Sequence, residues 1–560
     1  MKKNNIDLEI TGLDFRQDVE PLIKEFFPGF LNGSDVKITI DAGEDSFEIC
    51  VEELYDAEHL DKERFDIEHS DTEHLDTEQS DTEQSDTEHF DIEHLDKEQS
   101  DIVHPEKSRV CSEKESLDLS DFDGEKARHR EYRNRLLRAL YRVLHEFTGK
   151  TLPWGILTGV RPTKLLFERI ERGEGKPLQF MEEKYYCSRE KASLAARVAA
   201  VEYQLLDSID YRNGYSLYAG IPFCPSICNY CTFGSHPIGK FSDLVEPYIE
   251  ALMKEIRAVS DIYRGRTEPA GTMDERTKEF YKPRRLETIY IGGGTPTSLT
   301  AEQLRRIIHC IKDNYDMVGV CEFCVEAGRP DSITEEKLCM LKEEGVTRIS
   351  INPQTFSQRT LDIIGRGHSP EQVIDSFMTA RSLGFENINM DLIAGLTGED
   401  EKDFAHTLDC VKMLDPDSLT VHTLAHKRAA RITTDPGLYE QYEMQNKTIM
   451  DDTGIVAGML KLAEQYTKEN GYVPYYMYRQ KNMTENLENV GYARPGKECL
   501  YNILIMEEVQ PILAVGAGAS TKFPYVSGDK RFGRVENVKN VYEYVNRIDE
   551  MIERKKNAFS

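Results

Sequence analysis

The sequence lacks any long apolar run. No stretch approaches the roughly 18 to 20 apolar residues that span a bilayer, and its first residues, MKKNNIDLEITGL, lack the apolar core of a signal peptide. A basic surplus is absent too, because 70 Lys and Arg stand against 100 Asp and Glu. Since nucleic-acid surfaces are basic, we expect a cytoplasmic protein without a nucleic-acid or membrane partner.

Cysteine is too sparse for a disulfide-stabilised protein. Twelve cysteines over 560 residues do not resemble the dense framework of a small secreted domain. We therefore expect reduced thiols, so that a local cluster of cysteines indicates metal binding or catalysis. The length and an apolar content of 39% predict a large protein of two to four domains.

Most of the acidic surplus comes from one segment, residues 55–104. There a five-residue unit, x-D-x-E-H/Q, repeats about ten times and brings 19 acids against three bases. A period of five matches neither a helix nor a strand, so no apolar face forms, and the acids repel one another. The pattern predicts a disordered insertion. Loose binding of divalent metal by its six histidines is the alternative.

The segments on either side of the repeat predict a small α+β domain over residues 1–150. A strand, a helix and two alternating strands precede the repeat, and an amphipathic helix that ends at Gly149 follows it. A helical linker over residues 151–212 comes next, with the only tryptophan, Trp154, near its start. Arg161 and Lys164 follow, and they are either solvated bases or anion receptors, because an Arg fork suits carboxylates.

From about Tyr218 onward, short apolar runs alternate with amphipathic helical stretches. The six runs read SLYAGIPF, LETIYIGGG, CEFCVEAG, TRISINPQ, NINMDLIAGL and DSLTVHTLAH. Six β-then-α units predict a parallel sheet, either open or curled as a barrel. Ligands of such sheets gather at the carboxyl ends of the strands, so we expect the functional residues there.

Three cysteines stand close together just after the first of these strands. In IPFCPSICNYCTF, Cys224, Cys228 and Cys231 have spacings of four and three. A closed zinc site needs four ligands, and the nearest other cysteines, Cys187 and Cys310, lie far away in the sequence. A redox pair of Cys228 and Cys231 leaves Cys224 without a role. Three thiolates can instead hold three corners of a [4Fe-4S] cluster and leave the fourth iron open for a small molecule.

This C-x3-C-x2-C motif, with an aromatic residue before the third cysteine, resembles the signature of the radical S-adenosylmethionine (SAM) enzymes. The resemblance implies an α/β fold with a partial (β/α)6 barrel over residues 213–435. An N-terminal α+β domain and a C-terminal α/β extension over residues 436–560, which covers the substrate, would flank it. Cys224, Cys228 and Cys231 would bind a [4Fe-4S] cluster whose free iron chelates SAM. These cofactors would supply a 5'-deoxyadenosyl radical, and the protein would position them.

Other residues at the predicted strand ends match the family's SAM site. In YIGGGTPT the glycine triplet resembles the methionine-binding edge, with a tight turn as the alternative. By resemblance Arg366 would pair with the SAM carboxylate and Asp391 with the ribose. Taken singly, each polar residue is more often a satisfied structural group. The residues implied to bind SAM are Tyr218, Gly292, Gly293, Gly294, Thr295, Glu326, Gln354, Arg366 and Asp391.

IPFCPSICNYCTF, GGGTPT and NMDLIAGL further resemble the oxygen-independent coproporphyrinogen III oxidase group. LPWGILTGVRPTKL and the C-terminal MYRQKNMTENLENVGYARPGKECLYNILIMEE resemble its long-extension branch, coproporphyrinogen dehydrogenase HemZ. The group implies an oxidoreductase of porphyrin and haem biosynthesis. It would convert two propionates of coproporphyrinogen III to vinyl groups with loss of CO2. A low-potential electron donor such as a flavodoxin or ferredoxin is implied, and we expect a monomer.

One position departs from the best-studied members, which carry a further cysteine where this chain has Phe233. This Phe also occurs in haem-trafficking proteins on the same scaffold, so haem carriage is the alternative function. Their H-N-x-x-Y-W stretch is absent here. A tetrapyrrole with four propionates needs cationic anchors, although a run of bases can also be an ordinary solvated face. The candidates are Arg161, Lys164, Lys427, Arg428, Arg431, Arg479, Lys481 and Arg494.

Overall fold

The structure is a computed structural model, and it describes residues 5–27, 31–32, 36–53, 109–159, 161–232, 234–265, 284–425, 430–435, 437–438, 454–479, 487–524 and 532–559. The chain divides into two compact units, Met1–Ile156 and Leu157–Ser560. Some sequence predictions fall outside the described residues and stay predictions. They concern the pentapeptide repeat, Phe233, Lys427, Arg428 and Lys481.

The N-terminal unit combines a five-stranded sheet with helices. Its elements are β1 (Asn5–Gly12), α1 (Arg16–Phe26), β2 (Leu31–Asn32), β3 (Val36–Ala42), β4 (Ser46–Glu53), β5 (Val110–Ser116) and α2 (Glu125–Thr148). The sheet order is β2-β1-β3-β4-β5. Alternate residues of β3 and β4 are buried, as a strand with one covered face requires. As predicted, α2 ends at Gly149, whose left-handed φ of 70° lets its N–H donate to the His145 carbonyl at 2.8 Å.

The pentapeptide repeat lies in the connection between β4 and β5. These strands pair antiparallel, with Glu52 opposite Val110. A connection between neighbouring positions of a sheet can lengthen at small cost, because closure entropy grows only with the logarithm of loop length. The sequence prediction lacks β5, because its polar sequence VCSEKES carries no clear strand pattern.

The second unit contains an eleven-stranded sheet and a separate two-stranded one. Its strands are β6 (Gly214–Ile221), β7 (Phe223–Cys224), β8 (His236–Pro237), β9 (Arg285–Gly293), β10 (Glu322–Gly328), β11 (Arg348–Ile351), β12 (Ile388–Ala394), β13 (Ser418–Thr423), β14 (Val473–Tyr478), β15 (Asn489–Ala493), β16 (Ile512–Val515), β17 (Ser520–Pro524) and β18 (Phe532–Glu536). The order in the large sheet is β14-β15-β13-β12-β11-β10-β9-β6-β16-β17-β18. β7 pairs with β8 in the small sheet.

The six strands predicted from the apolar runs are β6 and β9 to β13. They lie side by side in chain order, and every neighbouring pair is parallel. Each successive strand adds to the same edge, whereas a doubly wound sheet reverses at a switch point. This winding in one direction confirms the α/β fold class and the partial (β/α)6 barrel. The carboxyl ends of all six strands therefore meet at one edge of the sheet.

Helices of the second unit lie before, between and after the parallel strands. They are α3 (Thr163–Glu171), α4 (Pro177–Tyr185), α5 (Arg189–Asp207), α6 (Ser242–Arg264), α7 (Ala301–Asn314), α8 (Glu335–Glu343), α9 (Gln358–Ile363), α10 (Pro370–Ser382), α11 (Glu401–Leu414), α12 (Arg431–Thr434), α13 (Ile455–Glu469), α14 (Leu500–Glu507), α15 (Val541–Asn546) and α16 (Ile548–Phe559). Capping boxes start α7, α10 and α11 by satisfying backbone donors of the first turn. Within the described part of the chain, none of the helices has the length and apolar character needed to cross a membrane.

The C-terminal residues extend the barrel sheet at both edges. β15 pairs antiparallel with β13, and β14 pairs with β15. At the opposite edge β16 pairs parallel with β6 and is followed by the antiparallel strands β17 and β18. The extension thus contacts both the first and the last strand of the barrel. The bounds of the four segments predicted from the sequence stay predictions.

Candidate active site

The three clustered cysteines lie at the end of β7 and on the loop that follows it. Cys224 and Cys228 are buried, whereas Cys231 is half-buried. The loop is held by Asn229, whose backbone N–H donates to the Ile364 carbonyl at 2.9 Å. The side-chain amide of Asn229 donates to the Ile363 carbonyl at 2.8 Å. The end of α9 therefore holds the cysteine loop in place.

The sulfurs of Cys224 and Cys228 accept hydrogen bonds from side chains that follow β9, β10 and α9. Thr295 Oγ1 donates to Cys224 Sγ at 3.4 Å. Arg329 and Arg366 donate to Cys228 Sγ through Nη1, at 3.7 and 3.8 Å. Burial raises the pKa of the Cys224 thiol, and the hydrogen bond from Thr295 opposes that rise. A sulfur that accepts from two cations is suited to carry the negative charge of an iron-bound thiolate.

Among the described side chains, no three of His, Cys, Asp or Glu converge on a point where one metal ion could bind. A [4Fe-4S] cluster sets a different requirement, because each thiolate binds a different iron atom. Three thiols on one short loop, two of them buried, match the donor type and number of a three-thiolate cluster. The donor set therefore fits the cluster that the sequence motif implies.

The glycine triplet at the end of β9 lies against the cysteine loop. Gly294 N–H donates to the Ile221 carbonyl and Thr295 N–H to the Phe223 carbonyl, both at 2.7 Å. A Cβ added to Gly294 would lie 2.6 Å from the Phe223 carbonyl oxygen and 3.1 Å from Cys224 Sγ. Only glycine fits at this position, because the ends of β7 and β9 are too close together to leave room for a side chain.

Glu326 lies on β10 beside the glycine triplet. A Cβ on Gly292 would lie 2.8 Å from the Glu326 carboxyl carbon. Tyr290 donates to Oε1 of Glu326 at 2.5 Å. Burial raises the pKa of Glu326 to about 7, against the opposing effect of this hydrogen bond. Near neutral pH the carboxyl group therefore populates both protonation states and can either accept or donate a hydrogen bond.

Asp391 lies on β12, and its pKa is shifted in the opposite direction to that of Glu326. Burial raises its pKa, but interactions with His422, Asn389 and Thr420 outweigh burial, so that the pKa of Asp391 is lowered overall. The Asn389 amide donates to Oδ1 at 2.7 Å, and His422 Nε2 lies 3.9 Å from the same oxygen. Asp391 is therefore an ionised acceptor, which suits a hydroxyl-bearing ligand.

Gln354 has an unusual backbone conformation. Its φ of 66° is left-handed, which costs a residue with a side chain roughly 1 to 2 kcal/mol. Its N–H donates to the Asp391 carbonyl and its carbonyl accepts from Ile393 N–H, both at 3.0 Å. These two bonds hold the conformation. The buried Oε1 of Gln354 has no hydrogen-bond partner within the described structure.

Arg366 is buried and only partly hydrogen-bonded. Its Nη1 donates to the Tyr230 hydroxyl at 3.1 Å and its Nη2 to the Asn352 carbonyl at 2.6 Å. In the described part of the chain, Nε of Arg366 and Oδ1 of Asn352 have no partner. A buried polar atom without a partner costs about 1 to 3 kcal/mol, which a polar ligand would recover. Together with Oε1 of Gln354, these atoms fit a polar cofactor such as SAM.

Tyr218 belongs to a stack of three aromatic rings. Its ring centroid lies 6.2 Å from those of Tyr290 and Tyr501, which are 4.5 Å from each other. The Tyr218 hydroxyl would lie 3.1 Å from a Cβ on Gly293. Tyr501 belongs to α14, so the C-terminal extension contributes to the surroundings of the glycine triplet.

Several residues of this site are absent from the sequence prediction, among them Arg329, Tyr290, His422 and Tyr501. Arg329 directly follows β10, and a cation at the carboxyl end of a predicted strand is a signal that could have found it. Tyr290 and His422 lie within predicted strands. Side chains alternate between the two faces of a strand, and this alternation could have indicated which face each residue occupies. Tyr501 follows no strand of the barrel, and no sequence signal pointed to it.

The candidate propionate anchors have varied surroundings. Arg161 forms an ion pair with Glu508 at 2.9 Å, and Lys164 lies 3.9 Å from the same carboxylate. These two bases therefore balance a protein carboxylate. Arg479 is buried and donates to a backbone carbonyl. Arg431 is exposed at the start of α12.

A cavity of about 610 Å³ opens beside the cysteine loop. This volume is within the range of small-molecule sites, roughly 300 to 1,000 Å³. Exposed cations on its wall give it a positive character. Its lining consists of Pro225, Ser226, Ile227, Asn229, Pro237, Gly239, Lys240, Gly365 and Arg431.

Comparisons with known proteins match these observations. Residues 218–411 match the model of the radical SAM superfamily. The oxygen-independent coproporphyrinogen-III oxidase-like protein HemZ of Bacillus subtilis is 42% identical over 405 residues, which cover 71% of this chain and 75% of that protein. The heme chaperone HemW of Bacillus subtilis is 33% identical over 339 residues, which cover 60% of this chain and 76% of that protein.

Among solved structures, coproporphyrinogen III oxidase (HemN) from Escherichia coli aligns with a TM-score of 0.46 and 23% sequence identity. The alignment covers 63% of this chain and 73% of that chain.

Proposed function

Because the chain belongs to the radical SAM superfamily, and within it to the oxygen-independent coproporphyrinogen-III oxidase-like proteins, we propose that it converts propionate side chains of coproporphyrinogen III to vinyl groups. Its cofactors are a [4Fe-4S] cluster and SAM. The observation that carries the proposal is that Arg366, which donates to Cys228 Sγ at 3.8 Å, has a buried Nε without a partner in the described structure, as do the side-chain oxygens of Asn352 and Gln354. This arrangement supports a polar cofactor bound beside an iron-sulfur cluster.

The residues that would hold the cofactors come from β6, β9, β10 and β12 and from the segments that follow β6 and β11. Cys224, Cys228 and Cys231 would bind three irons of the cluster. When bound, the two cofactors supply a one-electron route to the removal of a hydrogen atom from an unactivated C–H bond. Arg366 would pair with the carboxylate of SAM, because its guanidinium is held by hydrogen bonds from Nη1 and Nη2 and keeps the Nε–H available. Asp391 would accept from hydroxyl groups.

The chain's own residues orient these groups. Glu326 can hold a proton or release it near neutral pH, so it can bind an ammonium group or donate to an acceptor. The glycine triplet lets the backbone of β9 lie against the cysteine loop without an intervening side chain. The stacked rings of Tyr218, Tyr290 and Tyr501 place apolar surface beside the glycines.

Each propionate loses one hydrogen atom, one electron and CO2 when it becomes a vinyl group. The proposed reaction therefore needs an electron acceptor for the substrate and a low-potential donor for the cluster. The exposed cation Arg431, on the wall of the cavity, is a candidate anchor for a propionate carboxylate.

Anaerobic turnover tests this proposal. The full chain with reconstituted cluster is reduced with dithionite, freed of excess reductant and incubated with coproporphyrinogen III, SAM and a one-electron acceptor, and tetrapyrroles are analysed by mass spectrometry. We expect vinyl products and CO2 from the wild type and none from Cys228→Ala. Cys339→Ala changes a half-buried cysteine on α8 and serves as the matched control with full activity. A wild-type protein that is loaded with its cluster and cleaves SAM, yet releases no vinyl product, contradicts the proposal.

A second candidate function is haem carriage. It is favoured by the 33% identity to a protein named heme chaperone, which extends over 76% of that relative. Haem is added to the anaerobic protein, and its Soret absorption is followed. Tight haem binding without turnover of coproporphyrinogen favours this second function.

A further inference from the structure

Arg329 connects the end of β10 to the cysteine loop. Its guanidinium forms a two-point ion pair with Asp331, with Nε and Nη2 at 2.9 and 2.6 Å from the two carboxylate oxygens. Its Nη1 donates to the carbonyl and the hydroxyl of Ser226 at 3.0 and 2.9 Å. Only 4% of the Arg329 side chain is exposed. A planar guanidinium can donate to the Asp331 carboxylate and to Ser226 at the same time, whereas a lysine ammonium cannot reproduce this two-sided geometry.

The same Nη1 of Arg329 donates to Cys228 Sγ at 3.7 Å. Arg366, which follows α9, donates to that sulfur at 3.8 Å. Cys228 therefore accepts from two guanidinium groups, whereas the hydrogen bond described for Cys224 comes from the uncharged hydroxyl of Thr295. The two sulfurs thus differ strongly in their electrostatic surroundings.

Charge beside an iron-sulfur cluster changes its reduction potential, because the reduced cluster carries one more negative charge. Hydrogen bonds to the ligand sulfurs and net local charge are among the factors that set this potential. Arg329 and Arg366 bring two positive charges to Cys228, and Asp331 brings one negative charge beside Arg329. Because Arg329 is buried, solvent and salt screen this charge only weakly.

We propose that Arg329 is a positioning residue that raises the reduction potential of the cluster on Cys224, Cys228 and Cys231, and that Asp331 moderates its effect. Arg329 acts through the sulfur of Cys228 and through its hold on Ser226. The inference rests on the proposed function, because it requires a cluster on these cysteines. The same cation makes the cluster easier to reduce by a given electron donor.

The test is the midpoint potential of the reconstituted full-length protein, measured by redox titration with electron paramagnetic resonance detection of the reduced cluster. In Arg329→Gln we expect the equilibrium to shift roughly tenfold toward the oxidised cluster, which corresponds to a midpoint about 59 mV more negative for one electron. In Asp331→Asn we expect a shift in the opposite direction, because the charge of Arg329 is then no longer balanced. Arg359→Gln removes an exposed arginine that donates to the Gly398 carbonyl, and it should leave the potential unchanged.

An Arg329→Gln protein with full iron content and a wild-type potential overturns the inference. If Arg329→Gln loses iron, the midpoint potential of Asp331→Asn provides the test instead. A midpoint potential of Asp331→Asn that equals the wild-type value, or is more negative, overturns the inference. The proposed function fails in a different way. A wild-type protein that takes up no cluster contradicts both the inference on Arg329 and the proposed function. A normal cluster without vinyl products contradicts only the proposed activity on coproporphyrinogen III.

Discussion

The substitution Lys555→Met removes one partner of a fully buried ion pair. Lys555 on α16 and Glu255 on α6 have no exposed side-chain surface. The Glu255 carboxylate also accepts from Asn537 Nδ2 and Gly516 N–H, both at 2.8 Å, and from the Tyr544 hydroxyl at 2.5 Å. Methionine can fill much of the lysine volume, but it leaves the carboxylate without its counter-ion.

Removing one partner of a buried ion pair costs about 3 to 5 kcal/mol, because the remaining charge is buried without compensation. Unfolding entropy is roughly 2.1 cal/mol/K per residue, which gives about 0.8 kcal/mol/K for a unit of roughly 400 residues. The expected loss in melting temperature of the Leu157–Ser560 unit is therefore about 4 to 6 °C. Differential scanning calorimetry of the full chain measures this shift.

Lys556→Met is the matched control, because the Lys556 side chain is 61% exposed and lies 3.8 Å from an exposed glutamate. We expect this control to melt within about 1 °C of the wild type, since exposed ion pairs contribute little. The double variant Glu255→Gln with Lys555→Met should recover part of the loss, because no charge remains buried. If Lys555→Met melts together with the control, the reasoning from the buried charge is wrong.

Three further predictions concern the candidate site and its neighbourhood. In Gly294→Ala the new methyl group meets the backbone of the cysteine loop at 2.6 Å, so the reconstituted protein should hold several-fold less iron per chain in a colorimetric assay. Gln354→Gly removes the steric cost of a left-handed φ, so the free energy of unfolding should rise by about 1 kcal/mol. Because the side-chain amide is lost, SAM affinity in calorimetric titration should fall about tenfold. Burial raises the pKa of Glu399 from 4.5 to about 7, so the wild type should lose stability as pH rises from 4.5 to 7. Glu399→Gln should lack this loss and be more stable by up to about 3 kcal/mol above pH 7.

Matched controls accompany these variants. Gly175→Ala adds a Cβ to open space and should retain all its iron. Glu343→Gln changes a side chain that is 66% exposed, and its stability should follow the wild-type pH curve. Full iron in Gly294→Ala, unchanged SAM affinity in Gln354→Gly, or parallel pH curves for Glu399→Gln and the wild type would each contradict the corresponding argument.

Local sequence pattern was sufficient to predict the six parallel strands. Each apolar run and the amphipathic helix after it are encoded within tens of residues, where hydrophobic periodicity is informative. The pattern alone left open whether the sheet was open or curled, and the family resemblance supplied the partial barrel that the winding of β6 to β13 confirms. The pattern missed β5, because a polar edge strand depends on its pairing with β4 more than on its own composition.

By itself, the sequence determined the groups that are contiguous in the chain: three thiols on one loop, the glycine triplet and polar residues at strand ends. The tertiary structure decided which of these groups touch. The hydrogen bond from Arg329 to Cys228 joins residues 101 positions apart, and the contact of Tyr501 with Tyr218 brings the C-terminal extension to the first strand. Such contacts depend on the order of strands in the sheet, and that order is set by packing of the whole chain, which no local spacing encodes.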